Sequence, residues 1–400
     1  MDIALPDKTV PVLRSDAEAI AAAHALAAAY LPGAAERDRD RRLPFAEVEQ
    51  YSASGLGGIT VPKAYGGPDL SAATLSEVTA IISAADPSLG QLPQNHHGFL
   101  RLLRYEPDTA KAAHLFDLAL KGVRFGNALA ETGGKTTREV TARMRRTAGG
   151  WLLNGTKNYA TAAMFAHFIP VQALDDEGLA RRAVAERHAP GLTVIDDWSS
   201  FGQRTTASGT VTLQDVFVPD SHVIAAFQAS VKPTLYGPVS QIIQAAIDLG
   251  IARGIITDTI DFVRTRSRPW IDSGQDRAAD DVYTIAAVGD LQVRLHAADA
   301  LLQRAGRIID VATENETADA VAGASIAVAE AKVLTTEVAI LAANKLFELA
   351  GTRSTLAEHG LDRHWRNARV HTLHDPVRWK FHIIGNHALN GVNPPVHAWI

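Results

Sequence analysis

Two closely spaced sets of imidazoles carry most of the reactive chemistry in this sequence: His96-His97, and His371-x-x-His374 followed at once by Asp375-Pro376. An imidazole with a pKa near ~6.5 can donate or accept a proton at working pH. The second set has a further reading, because one helical turn brings both nitrogens toward a single ion. No His-Glu-x-x-His pattern or carboxylate cluster supports that metal reading. For His96-His97 the structural alternative is a pair at a helix start, packed against a bundle. Arg266 and Arg268 offer guanidinium forks that match phosphate geometry, with a surface salt bridge as the alternative. Gly351 permits close backbone approach or simply caps a helix.

Other chemistries are excluded. The chain has no cysteine, so disulfides, thiolate metal sites, iron-sulfur clusters and cysteine nucleophiles are ruled out. Gly133-Gly134-Lys135-Thr136 resembles the tail of a P-loop, but Leu129 stands where the leading glycine belongs. No Gly-x-Gly-x-x-Gly occurs, so nothing indicates a Rossmann nicotinamide site.

The elements that must position these residues fall into three blocks. Four hundred residues suit two or three domains. Ser15-Asp16 caps an alanine-rich helix that stops near Pro32-Gly33, and a second helical stretch runs from about Leu70 to Ala85. Between them Val61 to Gly67 must be a loop. After about Arg124 strands take over. Trp151-Leu152-Leu153 and Lys157 to Thr161 flank Asn154-Gly155, which predicts a hairpin turning at that pair. Val211, Leu213, Val216 and Val218 mark a further strand. Helical periodicity then returns: Val288, Leu291, Leu295, Ala298 and Leu302 form one apolar stripe, and Asp319 to about Leu349 is rich in small residues that suit a close-packed bundle. The division expected is 1–123 helical, 124–226 β and 227–400 a helical bundle, an α+β order.

Bulk properties are those of an ordinary globular chain, with 46% hydrophobic and 21% charged residues. A formal charge of −5 gives no electrostatic reason to expect nucleic acid or an anionic membrane. The arginine runs at Arg37 to Arg42 and Arg143 to Arg146 read as solvated faces. No apolar run of membrane-spanning length and no signal peptide is evident, and a reducing cytoplasm is the simplest setting.

The block order, together with local motifs, resembles the acyl-CoA dehydrogenase superfamily over nearly the whole chain. Val61 to Gly67 is similar to the loop of that family's N-terminal helical domain. Asn127 to Gly134 is similar to its first flavin-contacting strand and turn, and Asn154 to Thr161 to the second. Leu92 to His97, Phe201 to Thr210 and His371 to Pro376 resemble the branch of flavin-dependent monooxygenases related to dibenzothiophene monooxygenase and the sulfur-acquisition oxidoreductases.

The resemblance implies an N-terminal helical domain, a central β-barrel or sandwich and a C-terminal four-helix bundle. It implies flavin contacts by Asn127, Ala130, Gly133, Tyr159 and Thr161, and a phosphate or dinucleotide role for Arg266, Arg268 and Gly351, often across a subunit boundary. The dehydrogenases' glutamate base is absent; counting forward from Arg366-Asn367-Ala368-Arg369 reaches His374-Asp375, so Asp375 stands at its position. The branch implies instead a monooxygenase that takes reduced FMN from a separate reductase and uses oxygen on a small organosulfur or aromatic substrate through a flavin hydroperoxide. His96 from the N-terminal domain and His371 or His374 from the C-terminal one would then face the flavin. FAD with Asp375 as base, an acyl-CoA dehydrogenase, is the alternative. Relatives of this kind are commonly homotetramers.

Overall fold

The computed structural model describes residues 10–136, 139–227, 229 and 232–400. It has a helical N-terminal domain, a mixed sheet in the middle and a helical C-terminal domain. Helices α1 (Asp16–Tyr30), α2 (Ala34–Asp40), α3 (Phe45–Ala53), α4 (Ala72–Ala85), α5 (Pro87–Gln91), α6 (Gln94–Leu103) and α7 (Thr109–Leu120) come first. As expected, Ser15 caps α1, its hydroxyl accepting from Glu18 N–H at 3.2 Å. Asp86 ends α4 and caps α5 through the Ser88 and Leu89 N–H groups.

Among the described residues seven strands follow: β1 (Arg143–Thr147), β2 (Gly150–Lys157), β3 (Phe168–Leu174), β4 (Ala180–Glu186), β5 (Leu192–Ile195), β6 (Thr210–Pro219) and β7 (Val223–Ile224). They form one sheet ordered β5-β6-β2-β1-β3-β4-β7, antiparallel except where β1 meets β3. Asn154-Gly155 is not the hairpin turn. The chain turns at Ala148-Gly149, where Gly149 has φ +74°, and β2 runs straight through Asn154-Gly155. That pair sits at a bulge against β6: the register steps from Leu153 opposite Val216 to Gly155 opposite Leu213. Asn154 Nδ2–H donates to Asp215 Oδ1 at 2.8 Å, and Asp215 N–H returns a bond to Asn154 Oδ1 at 3.0 Å. The bulge explains a phase slip in the strand pattern: Val211, Leu213, Val216 and Val218 are all buried, although Leu213 and Val216 are three residues apart.

The C-terminal domain comprises α8 (Tyr236–Thr265), α9 (Val282–Glu314), α10 (Ala318–Ala350), α11 (Asp362–His371) and α12 (Arg378–Asn390). One core joins α1 and α4 to α8, α9 and α10. The approach of α8 to α4 is close: a Cβ on Gly250 or Gly254 would stand 2.4 Å from the carbonyl of Ala80 or Ala84. By length and apolarity α8 is a helix that could cross a membrane, contrary to the sequence expectation, but 89% of its apolar window is buried inside the protein.

The solvated-face reading fails for Arg37. That residue is 2% exposed and pairs with Asp86 at 2.9 Å and Glu47 at 3.1 Å, and its guanidinium also donates to the Tyr30 carbonyl. It ties α2 to α3 and to the start of α5.

Candidate active site

The segment 124–130 carries Asn127 alongside β3 by two isolated parallel bridges, Phe125 to Phe168 and Ala128 to Val171. Gly126 makes this seat possible, since a Cβ there would lie 2.9 Å from Ala163 Cα and from Ala166 Cβ. Asn127 Nδ2–H donates to the Tyr159 carbonyl at 3.2 Å, whereas its Oδ1 is buried with no hydrogen-bond partner. Tyr159 and Ala162 hold left-handed backbones, φ 52° and 64°, which side-chain-bearing residues adopt mainly where the surroundings impose it. Between them Thr161 begins a chain of hydroxyls: Thr161 to Ser208 at 2.8 Å, Ser208 to Thr206 at 2.8 Å, and Thr206 to the Gln203 carbonyl at 2.9 Å. The Tyr159 ring is 56% exposed and meets Trp198 edge-on. Ala130 receives the Asn158 N–H on its carbonyl at 2.9 Å, and Gly133 has open space around it.

Gln203 belongs to the same neighbourhood. It is 1% exposed with φ 49°, its N–H donates to Asn367 Oδ1 at 2.7 Å, and both polar atoms of its side-chain amide are buried without partners. Asn367 lies one turn before His371 on α11, so the two share a helix face.

His371 is 2% exposed. Its Nδ1–H donates to Asp248 Oδ1 on α8 at 2.5 Å, and Asp248 Oδ2 receives Lys332 Nζ at 2.7 Å and the Thr336 hydroxyl at 2.9 Å, both from α10. The Lys332 ammonium and the His371 ring hold the Asp248 carboxyl down to about 2 against the opposing pull of burial. Burial, aided by Lys332 and His374, pushes His371 below its ordinary value against the pull of Asp248. Its Nε2 is buried with no hydrogen-bond partner.

His374 is engaged on both sides: Nδ1–H donates to Asp375 Oδ1 at 3.1 Å, and Nε2 accepts from the Gln244 amide at 3.3 Å. Asp375 is buried beside Lys380, 3.4 Å away. The bond from His374 and the charges of Lys332 and Lys380 hold its carboxyl well below the usual carboxylate range, although burial alone would raise it. A carboxylate so stabilised is a weak base.

His96 lies on α6 with both nitrogens engaged by backbone. Nε2–H donates to the Gly57 carbonyl at 2.8 Å, and Nδ1 accepts the Phe125 N–H at 3.2 Å. Burial pushes it down to about 4. His97 Nε2 meets the Tyr51 hydroxyl at 2.9 Å, and its Nδ1 lies 3.5 Å from the Thr60 hydroxyl. Both ring nitrogens of His96 are therefore occupied by backbone groups in this geometry.

Arg266, Arg268 and Gly351 gather at another end of the helical domain. Ser267 Oγ donates to the Ala350 carbonyl at 3.1 Å, and Arg266 lies over Phe262 beside His359. Arg266 is 18 residues beyond Asp248, about 27 Å along the helix at ~1.5 Å per residue. It cannot share a pocket with His371 of its own chain. Among the described residues no group of three His, Cys, Asp or Glu side chains could hold a metal ion.

Sequence reasoning missed Asp248, Lys332, Gln203 and Gln244. Asp248 did leave a signal, being a carboxylate inside the apolar run Ile247-Asp248-Leu249-Gly250-Ile251, a position tolerated only with a partner.

Buried polar atoms without partners are few in folded proteins and call for an explanation. Here Asn127 Oδ1, the Gln203 amide, the Oε1 atoms of Gln241 and Gln244, and His371 Nε2 are of this kind. A flavin ring, with polar atoms on one edge and flat apolar faces, fits the donor and acceptor set of Asn127, Thr161 and Gln203.

Residues 15–120 match the acyl-CoA dehydrogenase N-terminal domain family, and residues 242–379 the C-terminal domain family. The chain belongs to the acyl-CoA dehydrogenase superfamily, in its branch of flavin-dependent monooxygenases. Dibenzothiophene monooxygenase from Rhodococcus qingshengii is 32% identical over 95% of each chain. The probable FMNH2-dependent monooxygenase SfnC of Pseudomonas putida is 30% identical over 96% of this chain and 98% of its own. The crystal structure of FMN-bound TdsC from Paenibacillus sp. A11-2 superposes with a TM-score of 0.90 at 29% identity, over 96% of this chain and 100% of that one.

Proposed function

We propose that this chain is a monooxygenase that takes reduced FMN from a separate reductase and transfers one oxygen atom of O2 to a small organosulfur substrate. The observation that carries this reading is the unpartnered His371 Nε2 beside a carboxylate already spent on ion pairing. Dehydrogenation of an acyl thioester needs a strong carboxylate base, and Asp375 is tied to His374 and Lys380. Bound reduced FMN, or FAD in its place, supplies the electrons that reduce oxygen, with one atom going to the substrate and the other to water.

The chain's own residues do the rest. Asn127 and Thr161 hold the ring edge by hydrogen bonds, with the Thr206-Ser208 hydroxyls fixing the Thr161 hydroxyl. Tyr159, Ala130 and Gly133 border the same edge. His371 Nε2 accepts and returns a proton in a space shielded from water. His96 acts at one remove by fixing Phe125, two residues before Asn127.

Arg266, Arg268 and Gly351 serve a flavin phosphate only if the flavin reaches them from a neighbouring subunit. Oligomerisation is supported by exposed apolar side chains in one sequence region, Trp270, Ile271, Val282, Tyr283 and Ile285, and we read the assembly as a homotetramer. A supply of reduced flavin from a nicotinamide-driven reductase suits the cytoplasm.

The test is turnover with NADH, a flavin reductase, FMN and 18O2 across sulfides, sulfoxides and sulfones. One labelled oxygen atom should enter a sulfur-containing product. Free hydrogen peroxide as the sole oxygen product with every compound overturns the reading.

A further inference from the structure

His371 is the one imidazole among His96, His97, His371 and His374 that keeps a nitrogen unpartnered, and what determines its proton is not on its own helix. We propose that Asp248, clamped by Lys332 and Thr336, is a positioning residue that fixes His371 in the Nδ1–H tautomer and so leaves Nε2 as the proton acceptor of the reaction. The acceptor role rests on the oxygenase reading; the tautomer does not.

Asp248, Lys332 and the His371 side chain are all 0% exposed, so no water competes for their bonds. Oδ2 of Asp248 is taken by the Lys332 ammonium and the Thr336 hydroxyl, which leaves Oδ1 for His371 at 2.5 Å. A carboxylate can only accept, so Nδ1 must carry the proton. One turn earlier on the same face of α11, Asn367 fixes the Gln203 backbone.

The charges around His371 come from every neighbouring element: Asp248 on α8, Lys332 on α10, and His374, Asp375 and Lys380 following α11. Asp248 with Lys332 and Asp375 with Lys380 form two ion pairs, each neutral in sum. Their near-cancellation leaves the buried imidazole neutral, with a lone pair on Nε2. Over one turnover, anionic reduced flavin, O2, substrate and one proton become oxidised flavin, oxygenated substrate and water. The proton that completes the water is one that Nε2 first accepts and then passes on, so that the ring ends the cycle neutral again.

Two substitutions in one ion pair should act in opposite directions. In Asp248→Asn the amide must turn its oxygen to Lys332, so its NH2 meets Nδ1 and forces the ring to carry its proton on Nε2. The same logic governs carboxylate-to-amide changes in hydrolase triads. In Lys332→Met the carboxylate keeps His371 as its sole cationic partner, which favours imidazolium.

In 15N NMR of the flavin-free protein, with His371 assigned by comparison with His371→Gln, the unaltered enzyme should show an Nδ1–H ring and Asp248→Asn an Nε2–H ring. In Asp248→Asn, kcat for oxygenation falls at least 100-fold while KM and FMN affinity change less than threefold, and the acidic limb of the pH profile disappears. In Lys332→Met the acidic limb moves to higher pH. A wild-type ring protonated on Nε2 overturns the proposal even if neither variant folds. Acidic limbs that coincide in all three proteins overturn it as well. Failure of the unaltered enzyme to oxygenate any sulfur compound is a different result: it removes the oxygenase reading, while the tautomer is still decided by NMR.

Discussion

Two regions of this molecule bury adjacent or near-adjacent histidines, and they bond them in opposite ways. In the N-terminal domain His96 spends both nitrogens on backbone groups, Gly57 and Phe125. In the C-terminal domain His371 spends one nitrogen on Asp248 and leaves the other bare. Both rings are almost wholly buried, and burial pushes both below the ordinary histidine value. Burial and residue type therefore do not separate a working imidazole from a structural one. The count of satisfied nitrogens is what differs between these two rings, and an unpaired polar atom in the interior costs ~1–3 kcal/mol, which the proposed function would offset by pairing it with a ligand.

The contrast is broken most severely by exchanging the outcome at the two sites. His371→Gln should lower kcat for oxygenation by about 100- to 10,000-fold, the usual contribution of a positioned proton-transfer group, with thermal unfolding close to that of the unaltered protein. His96→Phe should do the reverse. It leaves the Phe125 N–H and the Gly57 carbonyl buried and unpaired, a loss of about 2–5 kcal/mol. Activity per folded molecule should stay within tenfold if both ring nitrogens at position 96 stay with the backbone, as they do here. Steady-state kinetics with matched urea unfolding curves decide between them. Equal kinetic damage from the two substitutions would erase the distinction.

The comparison can be sharpened with pH. His96 titrates at about 4 in the folded protein against an ordinary 6.5, so the unfolded chain binds the proton first. Its contribution to stability is complete above pH 6.5 and is lost as pH falls toward 4. At ~1.4 kcal/mol per unit this amounts to about 3 kcal/mol. His97, also pushed down by burial, adds a slope of the same sign. The difference in unfolding free energy between the unaltered protein and His96→Phe, followed from pH 7 to pH 4.5, should therefore shrink by about 2–3 kcal/mol. A constant difference would mean that His96 binds its proton equally well in the folded and the unfolded chain.

The helical and strand blocks were legible because their periodicities are local. Of the stripe, Leu291, Leu295, Ala298 and Leu302 are buried as their spacing implies, while Val288 at its start is half-buried. Asn154-Gly155 misled because an Asn-Gly pair suits a tight turn and a bulge alike, and only the partner strand, with Asp215 opposite, decides which forms. The candidate site was half legible. Its histidines announced themselves by type, but which one is free depends on Asp248, 123 residues away in sequence, and on Gly57 and Phe125. Such long-range pairings have no periodic signature. Arg37 shows the same limit: a residue in a charged run is solvated unless distant carboxylates, here Asp86 and Glu47, draw it inside.

The smallest effect tests the flavin edge on the sheet side. Asn127 has one polar atom engaged by the Tyr159 carbonyl and one buried without a partner, the same half-satisfied state that marks His371. If a flavin edge completes it, Asn127→Ala removes one hydrogen bond to the ligand, worth ~0.5–1.5 kcal/mol, and FMN binding should weaken about three- to tenfold. It also frees the Tyr159 carbonyl, which Thr161 N–H already satisfies at 2.8 Å, so stability should change little. Asn127→Asp keeps the acceptor but loses the donor to Tyr159, and should bind FMN more tightly than the alanine variant does. Equal FMN affinity in all three proteins, measured by fluorescence quenching at one ionic strength, would separate Asn127 from the site and leave its bare oxygen unexplained.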